Sequence, residues 1–268
     1  MTDNSSRKHV WWGAFSVPEN QSGRWCIGPA IITISHLKNE WTVAYATAAE
    51  AAEDIVEVAL GIAQPEEPGS KVQVARFCLS HADSTLILTP ALADRSVVIR
   101  TEKPLHVLPA QEVKLYVSSP LWVRIETGDP RIIMQDIPIL RPSDTWFGTS
   151  TIEGELCYAN RVYGRFRLED IIFRPHRAIT PVLLRNHGKE PLLLERLNLP
   201  VPNLSLYESE EGYLWTQSTI LEAGVNNKAA LELKKGAPKE AKNSKLVNGP
   251  RIKAEKNILS RALKNLIG

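Results

Sequence analysis

AIITISHLKNEWTVAYA, Ala30 to Ala46, sets the character of the whole chain. Residues 30–37 and 40–46 are rich in β-branched and aromatic side chains, which pack well on a pleated surface. Lys38-Asn39 between them reads as the turn of a β-hairpin. Similar runs follow at 71–79, 84–90, 96–102, 112–118 and 121–127, and again at 161–170, 180–186, 191–199, 203–209 and 212–221. Lys103-Pro104, Leu108-Pro109 and Ser119-Pro120 are turn signals between them. Short strands at such spacing mark a sandwich or jelly roll. The 18 prolines agree, because proline breaks helices but sits comfortably at strand ends and in loops. The expected fold is mainly β, with one or two antiparallel units of sandwich or jelly-roll type.

Two segments depart from this pattern. ATAAEAAEDIVEVALGIAQ (46–64) is rich in Ala and Glu, so propensity favours a short helix near 47–60, although Ile55, Val56 and Val58 would equally suit a strand. Residues 234–256 are poor in apolar side chains and rich in Lys, Asn, Gly and Pro, the composition of a flexible basic linker. Beyond it, Ile258, Leu259, Ala262, Leu263, Leu266 and Ile267 recur at a helical period. Their spacing predicts an amphipathic helix over 257–267, with Asn257 as N-cap and Arg261 and Lys264 on the polar face. So short a helix needs a surface to lie on. The expected organisation is therefore an N-terminal β unit (10–142), a second β unit (143–233) that stands alone or shares its core, the linker and the helix.

The formal charge of +2 conceals an asymmetry. Between Lys234 and Lys264 stand ten basic residues and two acids, which leaves 22 basic and 28 acidic residues for the rest. A basic tail on an acidic body either folds back on it or seeks an anionic partner. No window has the apolar length of a membrane span, and the N-terminus lacks the apolar core of a signal peptide. Cys26, Cys78 and Cys157 are widely spaced and form neither a disulfide framework nor a zinc pattern. A cytoplasmic protein is expected, lying at the inner face of the membrane if the tail docks there.

SDTWFGTSTIEGELCYANR, Ser143 to Arg161, is the densest chemistry in the chain. A hydrolase could use Cys157 as a nucleophile if His176 supplied the base and a third group oriented it. Glu153 and Glu155 would share a strand face, and paired carboxylates can divide acid and base roles. The plainer reading is structural. Cys157 is then a small buried hydrophobe, Asp144 caps a turn, and Gly148 and Gly154 shape one. The six histidines show no HxH or HExxH spacing, and there is no phosphate loop, GxSxG elbow or dinucleotide fingerprint. No metal or cofactor is expected. Seven tryptophans could stack on sugars in a carbohydrate-binding sandwich, though such rings more often fill β cores.

RPSDTWFGTSTIEGELCYANR (141–161), the run from Arg174 to Gln217 and WWGAFSVPENQSGRWCIGPAIITI (11–34) together resemble an uncharacterised prokaryotic family, a domain of unknown function. The likeness covers roughly residues 10–222 and implies no catalytic residue. It implies a link to small-conductance mechanosensitive channels, whose genes lie near those of such proteins. The leading expectation is a non-enzymatic accessory protein that docks on a membrane protein or an anionic membrane surface through Ile258, Leu259, Leu263, Leu266 and Ile267, helped by Arg261 and Lys264. The tail has no interleaved aromatics, which argues against single-stranded nucleic acid as a partner. The oligomeric state is left open.

Overall fold

The computed structural model describes residues 10–48, 54–63, 72–80, 83–148, 152–224, 228–253, 258–262 and 266–267. Its first seven strands are β1 (Gly13–Ser16), β2 (Ser22–Ile27), β3 (Ala30–Leu37), β4 (Glu40–Thr47), β5 (Val56–Ile62), β6 (Gln73–Cys78) and β7 (Thr85–Ala91). Then come β8 (Val97–Val107), β9 (Glu112–Pro120), β10 (Trp122–Thr127), β11 (Ile132–Pro138), β12 (Ser143–Gly148), β13 (Gly154–Ala159) and β14 (Arg177–Asn186). The last seven are β15 (Leu192–Leu199), β16 (Leu206–Glu208), β17 (Leu214–Thr216), β18 (Thr219–Ala223), β19 (Lys228–Leu233), β20 (Lys245–Asn248) and β21 (Ile258–Ala262). The only helical elements among the described residues are two single 3₁₀ turns, Leu168–Asp170 and Val201–Asn203. No helix of the described residues is long and apolar enough to cross a membrane. The protein is mainly β, as expected.

The chain forms two compact units, and neither is a continuous stretch. Unit 1 takes residues up to Ala91, with Leu121–Leu140 and Arg174–His176; unit 2 takes Leu92–Pro120, Arg141–Phe173 and the chain from Arg177 onward. The boundary expected near 142 therefore does not divide them. Local strand signals say nothing about which sheet a strand joins, because pairing partners lie far apart in sequence.

Unit 1 holds a five-stranded sheet of order β5-β2-β3-β4-β6 and a four-stranded sheet of order β1-β7-β10-β11. The 30–46 hairpin forms as read, with Leu37 paired to Glu40 across Lys38-Asn39. Trp25, Ile32, Ile34, Trp41 and Val43 are fully buried, so one face of the sheet supplies a continuous apolar layer. Phe15 of β1 meets Trp25 of β2 edge-on at 5.2 Å, which brings the two sheets of this unit into contact. His36 stacks on Trp41 at 4.3 Å, and its Nδ1 lies 2.8 Å from the Val17 carbonyl oxygen.

The helix expected near 47–60 is replaced, over its described part, by β5, which pairs antiparallel with β2 from Ile27↔Val56 to Ser22↔Ile62. Residues 49–53 lie outside the described residues. Alanine and glutamate favour a helix only weakly, and the vacant edge of β2 offers a ladder of backbone hydrogen bonds that overrides the preference.

Unit 2 holds a sheet of order β12-β13-β8-β15 and a larger, mixed sheet centred on β14. Antiparallel pairing is joined here by parallel pairing: β14 runs antiparallel to β9 but parallel to both β17 and β18. The single strand read over 212–221 is thus two collinear strands, broken at Gln217 and Ser218. The Gln217 side chain turns aside to accept the Ser205 N–H at 2.7 Å. Nor is 161–170 a strand; it makes isolated bridges, Thr101↔Gly164 and Tyr116↔Arg165, before a 3₁₀ turn. Arg177, buried at the start of β14, donates to the Ser118 hydroxyl (2.7 Å) and the Asn160 side chain (2.8 Å), which ties β9 and the segment after β13 to the sheet.

The tail is also built into unit 2. The expected linker contains β20, which pairs with β16, and Lys245 reaches Glu208 at 3.1 Å. Among the described residues of 257–267 the expected amphipathic helix is not formed: Ile258–Ala262 is strand β21, paired antiparallel with β19. A helix of about 11 residues has few intrahelical bonds to offset nucleation, whereas β19 already presents an ordered edge.

Candidate functional site

The Ser143–Arg161 segment is a hairpin, β12 paired with β13 from Ser143↔Ala159 to Gly148↔Gly154. Its inner face carries Phe147 and Cys157, which pack with Val98 in a small core. Cys157 is fully buried, and its thiol lies 3.7 Å from the Asn198 side-chain oxygen while the Asn198 amide donates to Glu155. The outer face carries Asp144, held by Arg95 (3.2 Å) and Arg141 (3.3 Å), with Trp146 and Leu156 exposed beside it. Tyr158 donates to Asp94 at 3.0 Å; burial and that bond hold its phenol above the ordinary value of 10.0. Gly154 permits the close turn, since a Cβ there would lie 2.6 Å from Trp146 Nε1 and 2.7 Å from the Phe147 carbonyl oxygen.

The four candidates for catalysis are therefore placed apart in role. Cys157 is buried, Asp144 is bound to arginines, and Glu153 is exposed beside the turn. His176 belongs to unit 1, where it is buried under Gly28, a turn glycine with φ +52° whose Cβ would lie 2.8 Å from His176 Nδ1. No group of three or more His, Cys, Asp or Glu side chains among the described residues could hold a metal ion. Five of the seven tryptophans are buried, Trp12 is half-buried and Trp146 alone is exposed.

Only some of the docking residues expected in the tail are described. Ile258, Leu259 and Arg261 lie in β21, and Leu263 and Lys264 fall outside the described residues. Leu266 and Ile267 are buried, and the Leu266 carbonyl accepts the Asn198 N–H at 2.9 Å. This end of the tail packs on its own unit.

A different arrangement collects chemistry that no short motif announces. Cross-strand neighbours share a sheet face, and the pairs Lys114↔Leu183, Leu183↔Ile220 and Ile220↔Glu232 form one row across β9, β14, β18 and β19. At one end of this face Arg185 bridges Glu112 (3.0 Å) and Glu222 (3.5 Å). At the other end Tyr116, Ile179 and Trp215 form an apolar cluster with Ala241, which the tail inserts into it. Between them lies a groove of about 550 Å³ with Leu183, Pro181 and Ile220 on its floor. Lys114, Lys234, Lys235 and Lys239 line it, and three of these come from the basic tail segment.

Two of the lysines are neutralised locally. Lys234 pairs with Glu232 at 2.8 Å, and Lys114 donates to Glu240, which also accepts from the Tyr116 hydroxyl at 3.2 Å. Burial works against ionisation of Glu240, but the bonds and charge supplied by Lys114 and Tyr116 outweigh it and hold the carboxyl below its ordinary 4.5. Burial likewise disfavours the charged Lys114, and Glu240 overcomes it, so the ammonium sits above its ordinary 10.5. Lys235 and Lys239 have no acidic partner among the described residues. An apolar floor under unpaired ammonium groups suits an acidic ligand with apolar substance. Motif reasoning missed this site because its residues come from β9, β14, β18 and the segment after β19; the lysine excess of 234–239 was its only local signal.

No curated protein and no solved structure matches the chain. A family model described as a protein of unknown function, DUF432, matches residues 11–267, and the chain belongs to that family.

Proposed function

We propose that this protein is a non-enzymatic interaction protein whose unit 2 groove receives an acidic ligand. The observation that carries this reading is the lysine rim over an apolar floor, with Lys235 and Lys239 lacking acidic partners among the described residues. Ammonium groups supply attraction at long range, while the apolar floor supplies affinity once water is displaced. The basic tail thus keeps a role in binding an anionic partner, but as the wall of a groove rather than as a free helix.

The test uses anilinonaphthalene sulfonate, a fluorescent anion with an apolar ring system, titrated into the full chain at low and high salt. The double substitution Lys235→Gln, Lys239→Gln is expected to weaken saturable dye binding about tenfold at low salt and to shift the unfolding temperature by no more than about 2 °C. Identical dye affinity in wild type and the double variant would sink the reading.

A further inference from the structure

We infer that the ligand of this groove is a carboxylate carried on an apolar chain, and that it binds by taking the place of Glu240 on Lys114 and Tyr116. The inference rests on the reading of the groove as an acidic-ligand site and goes further by naming the ligand class and the group it displaces.

Glu240 already displays the chemistry. Its carboxylate, with the side chain 15% exposed, accepts from the Lys114 ammonium and from the Tyr116 hydroxyl. Those two donors stand two residues apart on β9, hence on one face, and their cross-strand partners are Leu183 and Pro181. The seat for a carboxylate is therefore bordered by hydrocarbon. Ala237 and Pro238 line the groove beside it, and Ile220 continues the floor. A compact, strongly hydrated inorganic anion gains nothing from that floor, whereas an alkyl carboxylate fills both halves of the site.

The backbone under Glu240 has anchors besides its side chain. Ala241 is buried in the cluster of Tyr116, Ile179 and Trp215, its N–H donates to the Pro238 carbonyl at 3.1 Å, and the Lys242 N–H donates to the Glu240 carbonyl at 3.2 Å. The Glu240 side chain can thus rotate out without releasing the segment that forms the groove wall. An entering carboxylate exchanges one ionic hydrogen-bonded partner for another, and the net gain comes from apolar contact. Glu240 then acts as an internal competitor that keeps the seat closed to weak anions.

The experiment is calorimetric titration of the full chain with sodium octanoate at neutral pH, with inorganic phosphate and 1-octanol as comparison ligands. Wild type is expected to bind octanoate, and Glu240→Gln to bind it about tenfold tighter, because a neutral amide competes poorly for Lys114. Lys114→Met is expected to weaken octanoate at least tenfold. Tyr116→Phe, which removes the hydroxyl alone, weakens it severalfold and carries the test if Lys114→Met does not fold. Phosphate and octanol should each bind wild type at least tenfold more weakly than octanoate. Equal octanoate affinity in wild type and Glu240→Gln overturns the exchange. Phosphate binding as tightly as octanoate overturns the apolar chain and leaves the acidic-ligand reading standing. Binding of no anion to any of these proteins overturns both.

Discussion

The hairpin of residues 143–161 and the segment of residues 234–248 make opposite impressions in sequence and in structure. The hairpin carries a thiol, carboxylates and aromatic rings within nineteen residues, yet several of its polar groups are taken up by neighbouring side chains of the same unit. Its inner face closes a small core with Val98, and its outer face pairs Asp144 with two arginines. The tail segment has plain composition, but it brings three lysines to a groove and seats Glu240 on Lys114. Reactive residue types are therefore a poor guide here; what distinguishes the two regions is whether charge is spent locally or left facing a cavity.

The largest effect expected from breaking this contrast is on the hairpin's packing. Phe147→Ala should cost about 3–4 kcal/mol of unfolding free energy in a denaturant titration, since the ring is buried and its neighbours are held by strand pairing. Octanoate and dye binding by the folded fraction should be unchanged. Next comes the thiol. Cys78 is exposed and Cys157 fully buried, so a neutral-pH thiol reagent followed by mass spectrometry should label Cys157 at least about 100-fold more slowly. Comparable rates would restore the hairpin as a site of reactivity.

The smallest effect belongs to the Glu240–Lys114 pair, because Lys114 is nearly half exposed and solvent screens it. Glu240 has a folded-state pKa below 4.5, so its stabilisation is present above that value and is lost as pH falls through the lower, folded one. Lys114 has a folded-state pKa above 10.5, so its share is present below 10.5 and is lost as pH rises through the higher, folded one. The stability difference between wild type and Glu240→Gln should therefore reach a plateau of under about 1 kcal/mol near neutrality and shrink at both extremes. A difference that stays constant from acid to alkali would remove the ionic account of this contact.

Much of the strand content was legible because it is local. Ala30–Thr47 combines β-branched runs with a two-residue turn, and its two strands pair with each other as neighbours in sequence. The errors lie where a local preference met a better distant offer. Residues 56–62 follow an Ala- and Glu-rich run of helical propensity but pair with β2, some thirty residues earlier. Residues 258–262 have a helical apolar period but pair with β19. In both cases the backbone bonds of an existing edge outweigh a propensity of a few tenths of a kcal/mol per residue. The groove was illegible for a related reason: Lys114, Leu183, Ile220 and Lys235 become neighbours only through strand register.

Local residue pattern makes this protein mainly β, sends most of its tryptophans into cores, and gathers its positive charge in residues 234–264. Those properties follow from side-chain shape, apolar content and composition, which act over a few residues. Tertiary structure alone decided which strands share a sheet, that the tail completes unit 2, and that Glu240 rests on Lys114. These outcomes depend on register between strands far apart in the chain, and a single-residue slip would turn Lys114 and Leu183 to the opposite face.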